Sequence, residues 1–422
     1  MPVLDILDWI RSNKTTFALA VISGYIGIVR LLRWRDYNRI HRKYNAKINS
    51  LTAAEAQTIV HCTTMWDMPL LVNYSLSFAL FKTYAVPSIS ELLAKTKQLS
   101  TWENVSKRYA DTEILISTWV TCPITGSFNF AKEPVSYGPE KVDFDPRCAI
   151  AIARTNWLHE QYDISNDDFL YTLALFILEP IKWTARFGWR AMSPLEAQAT
   201  FVFWYEIGQR MNIKDIPPTL EELRKWSEAY EQSCMVPAIT NRDVAQQTIN
   251  ELLYLAPNKF GIKAFLQRIT ICLLEEHVRI AMMQPAQPWY MHAITRTVLN
   301  SAAFFQGYLC LPRRRPHLFV PLDPPMPKDG SLPRMHPIRY AARPWYKPIP
   351  KGMGALIERL TVLLGIVDPD FVASDELKAE GYRLESLGPL RCEKSAHAEV
   401  MRKAGEMQGC PVTGVWSLGG GK

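Results

Sequence analysis

Hydrophobic positions along this chain follow two patterns. In the first, residues 15 to 29 are uncharged and almost wholly apolar, and Leu31 and Leu32 extend the run past Arg30. A helix needs about 20 apolar residues to span a bilayer, a length reached here when Arg30 snorkels to the headgroups. A cleaved signal peptide would need a small-residue cleavage site next; instead Arg30, Arg33, Arg35, Arg39, Arg42, Lys43 and Lys47 follow. Before the run, Asp5 and Asp8 balance Arg11 and Lys14. The positive excess therefore puts residues 33 onward in the cytosol and a short N-terminus, 1–14, in the lumen. The expectation is a transmembrane signal anchor over 15–32 and a basic juxtamembrane segment over 33–50. A buried or interfacial helix is the competing reading.

From residue 52 the second pattern takes over, with apolar residues at helical spacing. Thr52–Glu55, Ser88–Glu91, Ser100–Glu103, Ser193–Glu196 and Thr219–Glu222 each match the capping box, in which hydroxyl and carboxylate satisfy orphan backbone N–H groups at a helix start. Pro194 would sit at the first helical position, where its missing donor does no harm. The spacing predicts helices over 101–120, 147–162, 167–187, 243–255, 261–283 and 289–310. Residues 169–179 are apolar nearly all round, which marks a buried central helix too short to span a membrane. Residues 121–146 read as a loop, and 311–350, dense in proline and basic side chains, as a surface wrap. Residues 355–367 read as a short apolar helix, either interfacial or core. The fold class is therefore all-α: a single large helical domain with its core over 51–310, the wrap over 311–350, and a C-terminal extension over 351–422.

Composition refines this picture at three points. With 422 residues and 48% hydrophobic content the chain can bury an ample core. The net charge of +7 concentrates in residues 30–47 and at Arg313–Arg315, beside apolar segments, which suits a membrane surface and argues against a nucleic-acid partner. The eight cysteines form no C-x-x-C pair or zinc spacing, so neither a disulfide scaffold nor a zinc module is expected.

Two helical stretches carry candidate chemistry. On 101–120, Val105, Arg108, Thr112, Leu115, Ile116 and Trp119 share one face, which places an arginine and a threonine in an apolar stripe. A guanidinium there either pairs with a carboxylate, such as Glu103 or Asp111, or faces a polar ligand in a cavity. On 147–162, His159 shares a face with Cys148, Ile152, Thr155 and Tyr162. A lone imidazole on an apolar face is either a satisfied core residue or an iron ligand in a haem pocket. Arg154 could reach a haem propionate or a carboxylate. The chain contains no G-x-S-x-G, P-loop, H-E-x-x-H or E-x-x-H motif, which removes the corresponding hydrolase, nucleotide, zinc-protease and di-iron readings.

The runs Lys107–Thr112, Ala153–Tyr162, Asp168–Phe176 and Phe187–Arg190 resemble the fungal ER-bound oxygenases of the mycophenolic-acid-pathway type. Those enzymes share a catalytic domain with the bacterial rubber oxygenases, the latex-clearing proteins. The anchor with its basic flank, residues 81–90, Met235–Pro237 and Asn241–Arg242 extend the resemblance over most of the chain. It implies a helical fold holding haem b, with His159 as the iron ligand and Arg154 near the cofactor. Arg108 and Thr112 would be the distal polar pair. The implied reaction uses O2 to cleave a carbon–carbon double bond in the prenyl chain of a lipophilic secondary-metabolite precursor, on the cytosolic side of the ER membrane. Asp111 stands where the rubber-cleaving relatives carry a lysine, so no distal lysine is expected to cap the iron, and Asp111 joins the catalytic candidates. Rival readings are a different oxidation, hydroxylation or cyclisation, on the same fold, and a non-catalytic helical membrane protein.

Overall fold

A computed structural model describes residues 12–97, 102–126, 145–254, 256–257, 259–322, 331–340, 343–365 and 367–419. Among the described residues every regular element is a helix, as expected, and one isolated bridge pairs Met335 with Tyr382. Helix α1 (Lys14–Tyr44) is one unbroken element of 31 residues, roughly 46 Å long at 1.5 Å per residue. It is the one described helix long and apolar enough to cross a membrane. Its first half exposes Phe17, Leu19, Val21, Ile22 and Ile28. Its second half buries Val29, Arg33, Asp36, Ile40 and Tyr44. The basic segment is thus the docked half of the same helix: Arg33 donates to the carbonyls of Cys310 and Leu311, and His41 hydrogen-bonds the Ser193 hydroxyl at 2.8 Å.

The core is built from α2 (Ala53–His61), α3 (Pro69–Thr83), α4 (Pro87–Lys95), α5 (Trp102–Thr121), α6 (Arg147–His159), α7 (Asn166–Phe187) and α8 (Pro194–Arg210). Helices α9 (Leu220–Cys234), α10 (Ile239–Leu252), α11 (Ile262–Leu273), α12 (Glu276–Ala281) and α13 (Trp289–Phe304) surround it. Helices α14 (Met353–Leu363) and α15 (His397–Gln408) complete the order. The expected central helix is α7, which buries Leu170, Tyr171 and the whole of 173–180 and packs on α3, α8 and α9. Helix α2 packs on α8, α5 on α6, and α6 on α15.

Reciprocal capping boxes form at Thr52–Glu55 and Ser193–Glu196, with Pro194 in the first turn, and the Thr219 hydroxyl caps α9. Ser88 does not cap: α4 begins at Pro87, and the Ser88 hydroxyl donates to Asp168 instead. The Ser100 cap and residues 127–144 of the expected loop lie outside the described residues. The helix expected over 261–283 is two, because Leu274 turns to extended backbone between α11 and α12. The stretch expected over 289–310 ends as a helix at Phe304 and closes in a π-helical turn, Phe305–Leu309. Helix α6 stops at His159, short of Tyr162. The core reading of 355–367 is overturned, since α14 buries no residue. The described part of 311–350 contains no helix and lies on the core through Val320, Met335, Trp345 and Tyr346.

Candidate active site

Helices α3, α5, α6 and α7 line a cavity of about 370 Å³, within the range of small-molecule sites. The stripe predicted on α5 is one of its walls: Val105, Arg108, Thr112, Leu115, Ile116 and Trp119 all line it. Helix α6 contributes Thr155, Leu158 and His159, and α7 contributes Phe169, Leu173 and Phe176. Cys148 and Ile152, on the same face of α6 as His159, go into the core.

His159 occupies the last turn of α6, its ring 5.2 Å from that of Phe169. The imidazole lines the cavity and is otherwise enclosed by protein. Burial, with the Arg108 charge adding to it, lowers its pKa from the usual 6.5 to about 4. Its Nδ1 is buried with no hydrogen-bond partner. Among the described residues neither Arg108 nor Thr112 makes a side-chain hydrogen bond or ion pair. The carboxylate pairing open to Arg108 is therefore absent at Asp111, and the Glu103 side chain lies outside the described atoms.

Asp111 also lines the cavity, but its carboxylate is already engaged. Its carboxylate accepts from Lys107 Nζ at 2.7 Å, the Tyr346 hydroxyl at 2.6 Å and the Gly388 N–H at 3.0 Å. Lys107 also donates to the Gly388 carbonyl at 2.8 Å and pairs with Glu393 at 3.3 Å. This buried knot ties the C-terminal segment onto α5 and brings Gly388, Pro389 and Leu390 into the cavity wall. Gly388 has φ +118°, and a Cβ there would lie 2.8 Å from a Leu158 methyl, so only glycine fits beside the residue preceding His159.

Arg154 does not reach the cavity, nor does it meet a carboxylate. Fully buried, it donates to the carbonyls of Leu387, Ser395 and Cys392 at 2.7, 2.9 and 2.7 Å and stacks over Trp157. It clamps the segment that carries Gly388. Its expected place near a cofactor is not where the structure puts it.

The donor set decides which metal chemistry the cavity suits. A bare ion needs three or more protein ligands, whereas iron carried in a macrocycle needs one. His159 is one imidazole with an unpartnered ring nitrogen in an apolar chamber, which fits the second case. Elsewhere among the described residues, Glu231, Glu275 and His277 converge closely enough to hold a cation. The Lys82 ammonium already fills that place, 2.8 Å from Glu231, 2.5 Å from Glu275 and 3.5 Å from Glu179.

Comparison with known proteins matches residues 154–302 to the family described as ER-bound oxygenase mpaB/B′/rubber oxygenase, catalytic domain. An ER-bound oxygenase mpaB of Penicillium roqueforti is 32% identical, over 64% of this chain and 90% of its own length. An ER-bound oxygenase mpaB′ of Penicillium brevicompactum is 28% identical, over 95% of this chain and 94% of its own.

This chain belongs to the mpaB and rubber oxygenase family. It is accordingly an oxygenase, an oxidoreductase, and the non-catalytic reading falls. The matched catalytic domain begins at Arg154 and contains His159 but not the α5 wall or the C-terminal wall, which the mpaB′ similarity covers. Nothing in the sequence marks the C-terminal wall. Pro389 follows a glycine in a stretch with no helical period, and no local feature announces that Lys107 and Asp111 would hold it from 277 to 281 residues away.

Proposed function

We propose that this oxygenase is anchored by α1 as a single-pass protein of the ER membrane, with its domain in the cytosol. It would hold haem b on His159 and use O2 to cleave a carbon–carbon double bond in the prenyl chain of a lipophilic secondary-metabolite precursor. The observation that supports this reading is the single unpartnered imidazole in an apolar cavity, which also holds an arginine with no partner among the described residues. Haem, when bound, supplies an iron centre able to activate O2.

The chain's own residues do the rest. His159 offers a neutral ring nitrogen, because a pKa near 4 leaves the imidazole unprotonated at neutral pH. Arg108 and Thr112, one turn apart on α5, bring N–H and O–H donors to an oxygen on which negative charge develops, where a desolvated donor counts for most. Leu115, Ile116, Trp119 and Phe176 form an apolar wall for an isoprenoid chain and exclude water from it. Asp111 acts here as a positioning residue. Its carboxylate engages the Lys107 ammonium, the Tyr346 hydroxyl and the Gly388 N–H, which fixes the C-terminal segment as one wall of the cavity.

The reaction is tested by incubating the detergent-solubilised enzyme with a farnesylated aromatic compound under labelled O2 and analysing the products by mass spectrometry before exchange with water. Cleavage predicts two shorter carbonyl products that carry label. A single product with the full carbon count and one added oxygen contradicts it in favour of hydroxylation.

A further inference from the structure

Exposed apolar side chains cluster beside the anchor. Helix α13 buries only Met291, Thr295 and Ala303. Its outer face carries Tyr290, Ile294 and Val298, and the π-helical turn that follows adds Phe305 and Tyr308 at helical spacing. Phe304 stacks on Tyr308 with ring centroids 4.9 Å apart. All are exposed, Val298 and Phe305 at 57% and Phe304 at 59%. A contiguous apolar surface of this kind marks an interaction site.

Two observations identify what covers it. The first is its tie to α1. The Tyr25 hydroxyl donates to the Leu309 carbonyl at 2.8 Å, and Arg30 donates to the Gly307 carbonyl at 3.4 Å while lying 4.6 Å over the Tyr308 ring. Tyr25 lies inside the uncharged run, so the turn sits level with the cytosolic end of that run rather than above it. The second is charge. From Met282 to Leu322 the chain contains no Asp or Glu, yet it carries Arg296, Arg313, Arg314 and Arg315. Arg314 and Arg315 are exposed, close to the exposed Leu311. Basic side chains flanking an apolar and aromatic face match an anionic lipid surface, with Trp289, Tyr290 and Tyr308 suited to the headgroup level.

We propose that the outer face of α13 and the turn after it, through Ile294, Val298, Phe304, Phe305, Tyr308 and Leu311, lies in the interface of the anionic bilayer that α1 crosses. The domain is then held flat against lipid by a second, monotopic contact instead of swinging on one helix. This rests on the anchor reading of α1 given above. The contact is also near the cavity. Gln306 and Arg313 donate to the carbonyls of Asp67 and Trp66, in the π-helical turn Cys62–Asp67, whose Thr64 lines it. A lipid-dissolved substrate thus meets the protein close to its pocket. Helix α14 also exposes apolar side chains, but among the described residues no side-chain hydrogen bond, ion pair or ring contact ties it to the anchor.

The test is photo-crosslinking of the full-length protein in phosphatidylcholine–phosphatidylserine vesicles containing a phosphatidylcholine with a photoreactive acyl tail, with adducts mapped by mass spectrometry. The expected result is adducts on residues 14–30 and on 289–311. A Val298→Glu, Phe305→Glu double variant should lose the second set and keep the first. Adducts on 14–30 with none on 289–311 overturn the inference and leave the anchor standing. Adducts missing from both stretches overturn the two together. Protein–protein crosslinks at 289–311 in place of lipid adducts assign the face to a second copy and overturn the proposal.

Discussion

Arg108 on α5 and His159 on α6 line one cavity, and burial together with the Arg108 charge holds the imidazole at a pKa of about 4. Both groups stay chemically available: the imidazole is neutral at physiological pH, and the guanidinium has no partner among the described residues. An unpaired cation inside an apolar chamber is costly, and a folded protein retains one where a ligand or transition state gives the charge something to do.

Replacing Arg108 by leucine should lower kcat by about 100-fold while leaving the cofactor content and fold intact, the size expected for loss of one preorganised donor. Arg108→Lys should recover part of that loss by keeping the charge without the fork of donors. Thr112→Val should cost less, about tenfold, as for one neutral hydrogen bond. Steady-state kinetics with the cofactor-to-protein ratio measured alongside checks all three.

Arg154→Met removes three donors from three buried carbonyls and should destabilise the protein by about 3 kcal/mol. Limited proteolysis should then cut between residues 384 and 395, where the wild-type protein resists. If Arg154 instead held a cofactor carboxylate, the variant would lose cofactor while its C-terminal segment stayed protected.

Gly388→Ala forces a methyl group against Leu158 at a φ of +118°, and about 2 kcal/mol of stability should go. Adding Leu158→Ala relieves the clash but not the backbone strain. The double variant should therefore melt above the value expected if the two losses simply added.

These residues show how far the sequence is legible. The wall on α5 follows from a helical period of 3.6, so the amino-acid pattern by itself puts an arginine and a threonine of an apolar stripe on one surface. The caps at Thr52 and Ser193 are legible for the same reason, since their partners lie three residues away. At Ser88 the rule fails because Pro87 takes the first helical position and Asp168, 80 residues on, takes the hydroxyl. Arg154 is not placed by its neighbours because its partners are backbone carbonyls from 233 to 241 residues away, which no residue type advertises. The break at Leu274 has neither glycine nor proline to mark it.

The buried cluster around Lys82 contributes to the acid response. Partial burial pushes the Glu275 carboxyl up, but Lys82 and Lys182 outweigh it and bring its pKa down from 4.5 to about 2. A carboxylate depressed in the folded state adds stability that is complete above its unfolded pKa and is lost as pH falls through the folded one. Unfolding titrations should therefore show stability declining from about pH 4.5 toward 2. Glu275→Gln should be less stable at pH 7 and show a shallower decline across that window.

Whether His159 holds a haem is the point on which the proposed chemistry turns. The most direct measurement is the absorption spectrum of the full-length protein, solubilised in detergent after expression with haem supplied, beside that of His159→Ala. The expected result is a Soret band in the wild type and its loss in a variant that still melts cooperatively. A wild-type protein with oxygenase activity but no Soret band, or a His159→Ala variant that keeps both the band and the activity, would contradict it.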